Sequence, residues 1–109
     1  MRRGRVYYNK IIAGTISEEK DSTYTFKYED SYFANSTLPS ISVTLSKGKQ
    51  IHQSQGLFPF FYNMLSEGAN KKTQCRILKI DEADDFGLLL KTSAHETVGA
   101  ITVEEINEK

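Results

Sequence analysis

Between Ser22 and Tyr28 the side chains alternate strictly, with Tyr24, Phe26 and Tyr28 on one side of an extended chain and Thr23, Thr25 and Lys27 on the other. A repeat of two belongs to a strand with one buried face, whereas helix neighbours recur at three and four. From Leu57 the period changes: Leu57, Phe61, Met64 and Leu65 stand at i, i+4, i+7 and i+8, which is one stripe of a helix. A chain that reads in twos first and in threes and fours afterwards builds a sheet and then lays helices on it. The expected class is α+β: a small, mostly antiparallel sheet of about five strands, packed with two or three short helices from the C-terminal half.

The remaining elements follow from turn and cap residues. Arg5 to Ser17 reads as a hairpin around Asn9-Lys10, with Lys10 in the place where a type I′ turn prefers glycine. Glu29 to Leu38 suits a short helical turn or loop, closed by Pro39. Ile41, Val43 and Leu45 alternate with Ser42 and Thr44, which predicts a fourth strand, and Lys47 to Gln55 is expected to be a polar loop. Pro59 is acceptable in the first turn of the helix that Gly56-Leu57-Phe58 opens. Gly68 is placed to end that helix, and Asn70 to cap a second one to about Ile80, with Ile77, Leu78 and Ile80 as its apolar side. Asp84 or Asp85 can cap a third helix holding Phe86, Leu88, Leu89 and Leu90, and Gly99 to Val103 returns to strand character.

At 109 residues the chain is expected to form one domain, 1–109, since a second core has no room. Fourteen basic and fourteen acidic side chains cancel, so there is no global positive field of the kind that nucleic-acid or anionic-membrane binding draws on. Arg2, Arg3 and Arg5 cluster at the terminus, but three arginines are few phosphate contacts; a solvated strand end is the expectation, with no direct nucleic acid and no membrane among the partners. Cys75 is the only cysteine, which excludes an internal disulfide and fits a reducing compartment. Asn9 and Lys10 interrupt the apolar stretch behind the basic start before a signal peptide can develop, and no run is long enough to span a bilayer, so a cytoplasmic protein is expected.

No catalytic set can be assembled. Asp85-Phe86-Gly87 spells the magnesium-binding tripeptide of protein kinases, but the catalytic loop, the Gly-rich phosphate loop and the strand lysine are all missing, so a helix cap and a buried ring are expected instead. His52 and His95 are far apart and Cys75 is the sole thiolate candidate, a pattern without the paired short spacing of a closed zinc site. Cys75 reads as a packing residue. Glu82, Asp84 and Asp85 read as caps and dipole partners at a helix start, and Ser93 with His95 has no acidic orienter or nucleophile elbow. No catalytic residue, cofactor or metal is therefore expected.

What stands out is aromatic. Phe58, Phe60, Phe61 and Tyr62 spread around most of a helix circumference, yet a helix on a sheet hides only part of its surface. Phe60 and Tyr62, outside the Leu57, Phe61 and Leu65 stripe, are the candidates to face outward as contact anchors. The alternative is that the loop from Tyr32 to Leu38 covers them.

The run Gly56-Leu57-Phe58-Pro59-Phe60-Phe61-Tyr62-Asn63-Met64-Leu65-Ser66-Glu67-Gly68 resembles the N-terminal subdomain of HipA-type kinases, whose members carry Gly-Leu-Phe, Phe-Phe, Asn-x-Leu and Glu-Gly here. Asn9, Ile12, Ala13 and Gly14 look like that family's first hairpin, Ile41 to Leu45 like its Ile-Ser-Leu-Ser-Leu strand, and Asp85 to Leu89 with Val98 to Ile101 like its closing elements. The resemblance implies a subdomain that abuts the N-lobe of a serine/threonine kinase toxin. In split systems it stands alone as a short HipS-type protein that counteracts a separate HipT kinase, with a HipB-like DNA-binding protein encoded beside them. The end of the chain at Lys109, with no kinase after it, matches that free-standing form. The implied role is a noncatalytic domain that binds and neutralises a HipT- or HipA-like kinase, HipB joining as a third component; the alternative is a structural or docking subunit, or an excised kinase N-terminal domain, without inhibitory activity. The implied contact residues are Phe60, Tyr62, Ser66, Glu67, Gly68, Ala69 and Asn70. Two positions depart from the pattern: Ser66 stands where kinase-fused members often have proline, and Ala69 where a bulky residue is common.

Overall fold

A computed structural model of the chain describes residues 2–65, 68–93 and 100–106, with Asp21, Gly68 and Ala69 described by their backbone alone. Its strands are β1 (Arg3–Tyr8), β2 (Ile11–Glu18), β3 (Thr23–Tyr28), β4 (Ile51–Gln55) and β5 (Ile101–Ile106); its helices are α1 (Asp30–Ala34), α2 (Pro59–Tyr62), α3 (Gly68–Leu78) and α4 (Asp85–Thr92). The five strands form one sheet in the order β4-β3-β2-β1-β5, every neighbouring pair antiparallel. The α+β expectation thus holds, with three of the four helices in the C-terminal half. Among the described residues no helix is long and apolar enough to cross a membrane.

The period-two residues do what their spacing demands. Val6, Ile16, Phe26, Tyr28 and Val103 are fully buried on one sheet face, and Phe61 of α2 with Phe86, Leu88 and Leu89 of α4 completes the core against them. The rings lock edge to face, Phe26 with Tyr28 at 4.8 Å and Tyr24 with Phe86 at 5.3 Å between centroids. The opposite face is polar: register places Lys27, Thr15, Arg5 and Glu104 side by side across four strands. Asn9 and Lys10 both have positive φ, 48° and 70°, as the predicted two-residue turn requires.

Two neighbouring assignments are exchanged. Ile41 to Leu45, expected as a strand, is irregular and ends in a 3-10 turn, Val43–Leu45; the polar stretch expected as a loop contains β4. The cause is Tyr28. Its buried hydroxyl donates to the Leu45 carbonyl and accepts from the Ile41 N–H at 3.0 Å, which folds the segment around the ring. Ile41 and Leu45 are consequently buried while Val43 is 95% exposed, a spacing of four and not two. Tyr32, stacked on Tyr28, donates to the Pro39 carbonyl at 2.7 Å. β4 has no apolar alternation because its inward residues are His52 and Ser54 in the row of Phe26 and Tyr24. His52 faces Tyr28 edge-on, and its Nε2 donates to the Ser46 and Lys49 carbonyls at 2.9 and 3.0 Å.

Arg2 ties the two halves of the chain together and is no solvated end. Its guanidinium makes paired hydrogen bonds of 2.8–2.9 Å to Glu18 at the end of β2 and to Asp84, the cap of α4, and lies 5.4 Å from the centre of the Phe86 ring. Hydrogen bonds from Arg2 hold both carboxyls below their ordinary range, desolvation opposing; Tyr24 donating to Glu18 adds to the depression there, and the Gly87 N–H does at Asp84. Depressed carboxyls contribute stability that is complete above their unfolded values and lost as pH falls through the folded ones. Urea midpoints should therefore fall below about pH 4, and Arg2→Met should lose less of its stability than the parent between pH 6 and pH 3. Equal losses in both proteins would remove this cluster from the acid response.

Candidate functional site

The aromatic run is folded by a helix of a single turn. Phe58 is extended at the N-cap of α2, Pro59 occupies the first helical position, and 3-10 turns carry the chain on to Leu65. Because Phe58 precedes the helix, its ring leaves the 100° phase and turns inward, 6.2 Å from Phe61. Phe58, Phe61, Met64 and Leu65 are buried, and Leu57 is packed at the core margin.

The two candidate anchors separate. Tyr62 faces outward and is 46% exposed. Phe60, expected beside it, is half-buried, because its ring packs edge-on against Phe61 with centroids 5.2 Å apart. The structure so provides one outward ring on a seat of buried ones, and a second ring on its flank.

The expected contact turn is placed in part. Ser66 and Glu67 lie outside the described residues. Gly68, expected to end a helix, opens α3, and Asn70, expected to cap it, sits exposed in its first turn beyond Ala69. Lys71, in that same turn, reaches Asp85 at the start of α4, Nζ to Oδ1 2.9 Å. This hydrogen bond raises the Lys71 pKa, with a smaller electrostatic contribution from the Tyr62 phenol. The Lys71–Asp85 pair thus joins the first turn of α3 to the start of α4, with Lys71 in electrostatic reach of Tyr62. Sequence reasoning did not include Lys71 or Asp85 in the contact set; an ion pair across fourteen residues leaves no local spacing signal.

The far end of α3 corrects the expected apolar side. Lys79 adopts a left-handed φ of 58°, and the Ile80 N–H returns to the Cys75 carbonyl at 2.9 Å, a Schellman termination. That reversal carries Ile80 back onto the core beside buried Cys75, and leaves Ile77 71% and Leu78 42% exposed.

The groups weighed for chemistry are otherwise occupied. Asp84 caps α4 by accepting from the Gly87 N–H at 3.0 Å, Asp85 pairs with Lys71, and Phe86 is fully buried, so the Asp-Phe-Gly tripeptide is a helix start. Ser93 is buried and its carbonyl accepts from Val103 N–H, while His95 lies outside the described residues. Among the described residues no three His, Cys, Asp or Glu side chains come together as a metal site would need.

The family model described as the HipA N-terminal domain matches residues 4–104. Among solved structures, the chain is similar to the N-terminal domain of HipA toxin, with a TM-score of 0.75 and 22% identity over 100% of this chain and 96% of that one. No curated protein matches in sequence. Both likenesses are to the N-terminal subdomain and not to a kinase catalytic domain.

Proposed function

The chain belongs to the HipA N-terminal domain family, and from that premise we propose that it is a noncatalytic protein-binding domain that binds a HipT- or HipA-like serine/threonine kinase and neutralises it, with a HipB-like DNA-binding protein as a third component. The observation that carries this reading is Tyr62. A large amphipathic ring held outward on a rigid apolar seat is the kind of side chain that anchors protein interfaces. Around it, Lys71 paired with Asp85 supplies a polar rim, and Gly68, Ala69 and Asn70 supply a helix turn with little bulk. Ser66 and Glu67 complete the proposed contact by sequence.

Ala69 bears on how neutralisation would work. A methyl group cannot plug a kinase pocket, so this domain would act by holding the kinase in an inactive arrangement. The same residue favours a second reading, a docking subunit that binds the kinase without inhibiting it. Both readings need the Tyr62 surface. Tyr62→Ala should weaken the complex with the kinase by about fivefold or more, since truncating an anchor costs over about 1 kcal/mol. Phe60→Ala should weaken it less and should also lower the urea midpoint, because that ring is shared with the core. Titration calorimetry on both variants checks this, and unchanged affinity for Tyr62→Ala would remove the surface from the interface.

A further inference from the structure

The sheet has two edges, and they are treated differently. At β5, Val103 points its N–H outward and donates it to the Ser93 carbonyl at 3.0 Å, while Lys91 reaches Glu105 at 2.7 Å, so the end of α4 covers that edge. At β4 the bonds from Tyr28 N–H to Gln50 carbonyl and from Gly56 N–H to Ser22 carbonyl fix the ladder phase. Residues 50, 52, 54 and 56 face β3, and Ile51, Gln53 and Gln55 direct their backbone N–H and carbonyl groups away from the sheet. Among the described residues nothing hydrogen-bonds to those three N–H groups, and the three side chains are exposed.

Folded monomers blunt such an edge with charge, proline or a bulge. Ile51–Gln55 contains no charged residue and no proline, and its register with β3 is unbroken, whereas β1 and β2 shift between Val6 and Tyr7. We propose that β4 is a pairing edge that takes a second copy of this chain, antiparallel about Gln53, to make a continuous ten-stranded sheet.

The composition of the edge selects a second copy as the occupant. Two-fold pairing about Gln53 sets Gln53 against its own counterpart and Ile51 against Gln55, so amide faces amide and no charge meets a like charge. The same register sets Lys49 against Leu57, which keeps the basic stretch of one copy away from that of the other. A five-residue edge buries little area, so the pairing is weak and concentration-dependent.

Sedimentation velocity from micromolar to near-millimolar protein tests this. The parent should rise toward twice the chain mass, Gln53→Lys and Gln53→Glu should each stay monomeric with unchanged circular dichroism, and an equimolar mixture of the two variants should regain the dimer, because the two-fold axis brings opposite charges face to face. A parent that is monomeric throughout, variants that dimerise like the parent, or a mixture that fails to recover would each overturn the proposal; the last two would move any association to another surface or to an edge that takes a different strand.

Discussion

Replacing Phe61 by alanine is expected to destabilise the domain by about 3–5 kcal/mol, the cost of emptying a core site filled by an aromatic ring. The site has little means of collapsing. Phe61 is fully buried, Phe26, Phe58 and Phe60 all pack on its ring, and α2 has no second turn to shift along. A domain of this size commonly has about 5–15 kcal/mol in total, so the variant should sit near the edge of unfolding at physiological temperature. The functional consequence follows from the same contacts: the turn that aims Tyr62 outward is anchored by Phe61, so kinase affinity should fall further than in Tyr62→Ala. Urea denaturation gives the stability. A loss under about 1 kcal/mol would mean that the core is not organised around this ring.

Gly14→Ala should be nearly as damaging for a backbone reason. A Cβ there would stand 2.3 Å from the Lys27 carbonyl oxygen and 2.9 Å from the Phe26 ring. The oxygen belongs to β3, the strand with which β2 is paired, so relief requires parting two central strands. Overpacking commonly costs about 1–3 kcal/mol, and this position should lie at or above the top of that range because the obstacle is main chain. The register shift between Val6 and Tyr7 lies directly across from Gly14, which leaves the hairpin a fixed bend at the point of contact. A thermal midpoint within a few degrees of the parent would contradict this close approach.

Much of the sheet was legible because its signal is local. Tyr24, Phe26 and Tyr28 are buried as their alternation predicts, Asn9-Lys10 makes the turn it spells, and Asp84 caps α4. The failures share one cause, that side chains distant in sequence decided the local conformation. The Tyr28 hydroxyl bends Ile41 to Leu45 out of an extended course that its β-branched residues would favour, and β4 gains its place from pairing with β3 although its own residues carry no strand pattern. Gly68 reads as a stop because glycine ends helices more often than it begins them, yet it opens α3.

The candidate site was half visible for the same reason. Tyr62 was separable from the apolar stripe by angle alone. Phe60 was not, because one turn of helix leaves its ring free to lie on Phe61. Lys71 and Asp85 meet through an ion pair that joins α3 to α4 across fourteen residues, and Arg2 is bound by two carboxylates that charge counting treats as independent. The family resemblance supplied what periodicity did not: several ordered patches along the chain, each weak alone, that the match over residues 4–104 bears out.

Phosphorylation by the cognate kinase, titrated with this protein, tests the central claim most directly. Neutralisation predicts that activity falls toward nothing as the ratio reaches one to one, and that Tyr62→Ala shifts the fall to higher concentration in step with its weaker binding. Stoichiometric binding with kinase activity unchanged or raised would contradict it, and would leave this domain as a docking subunit.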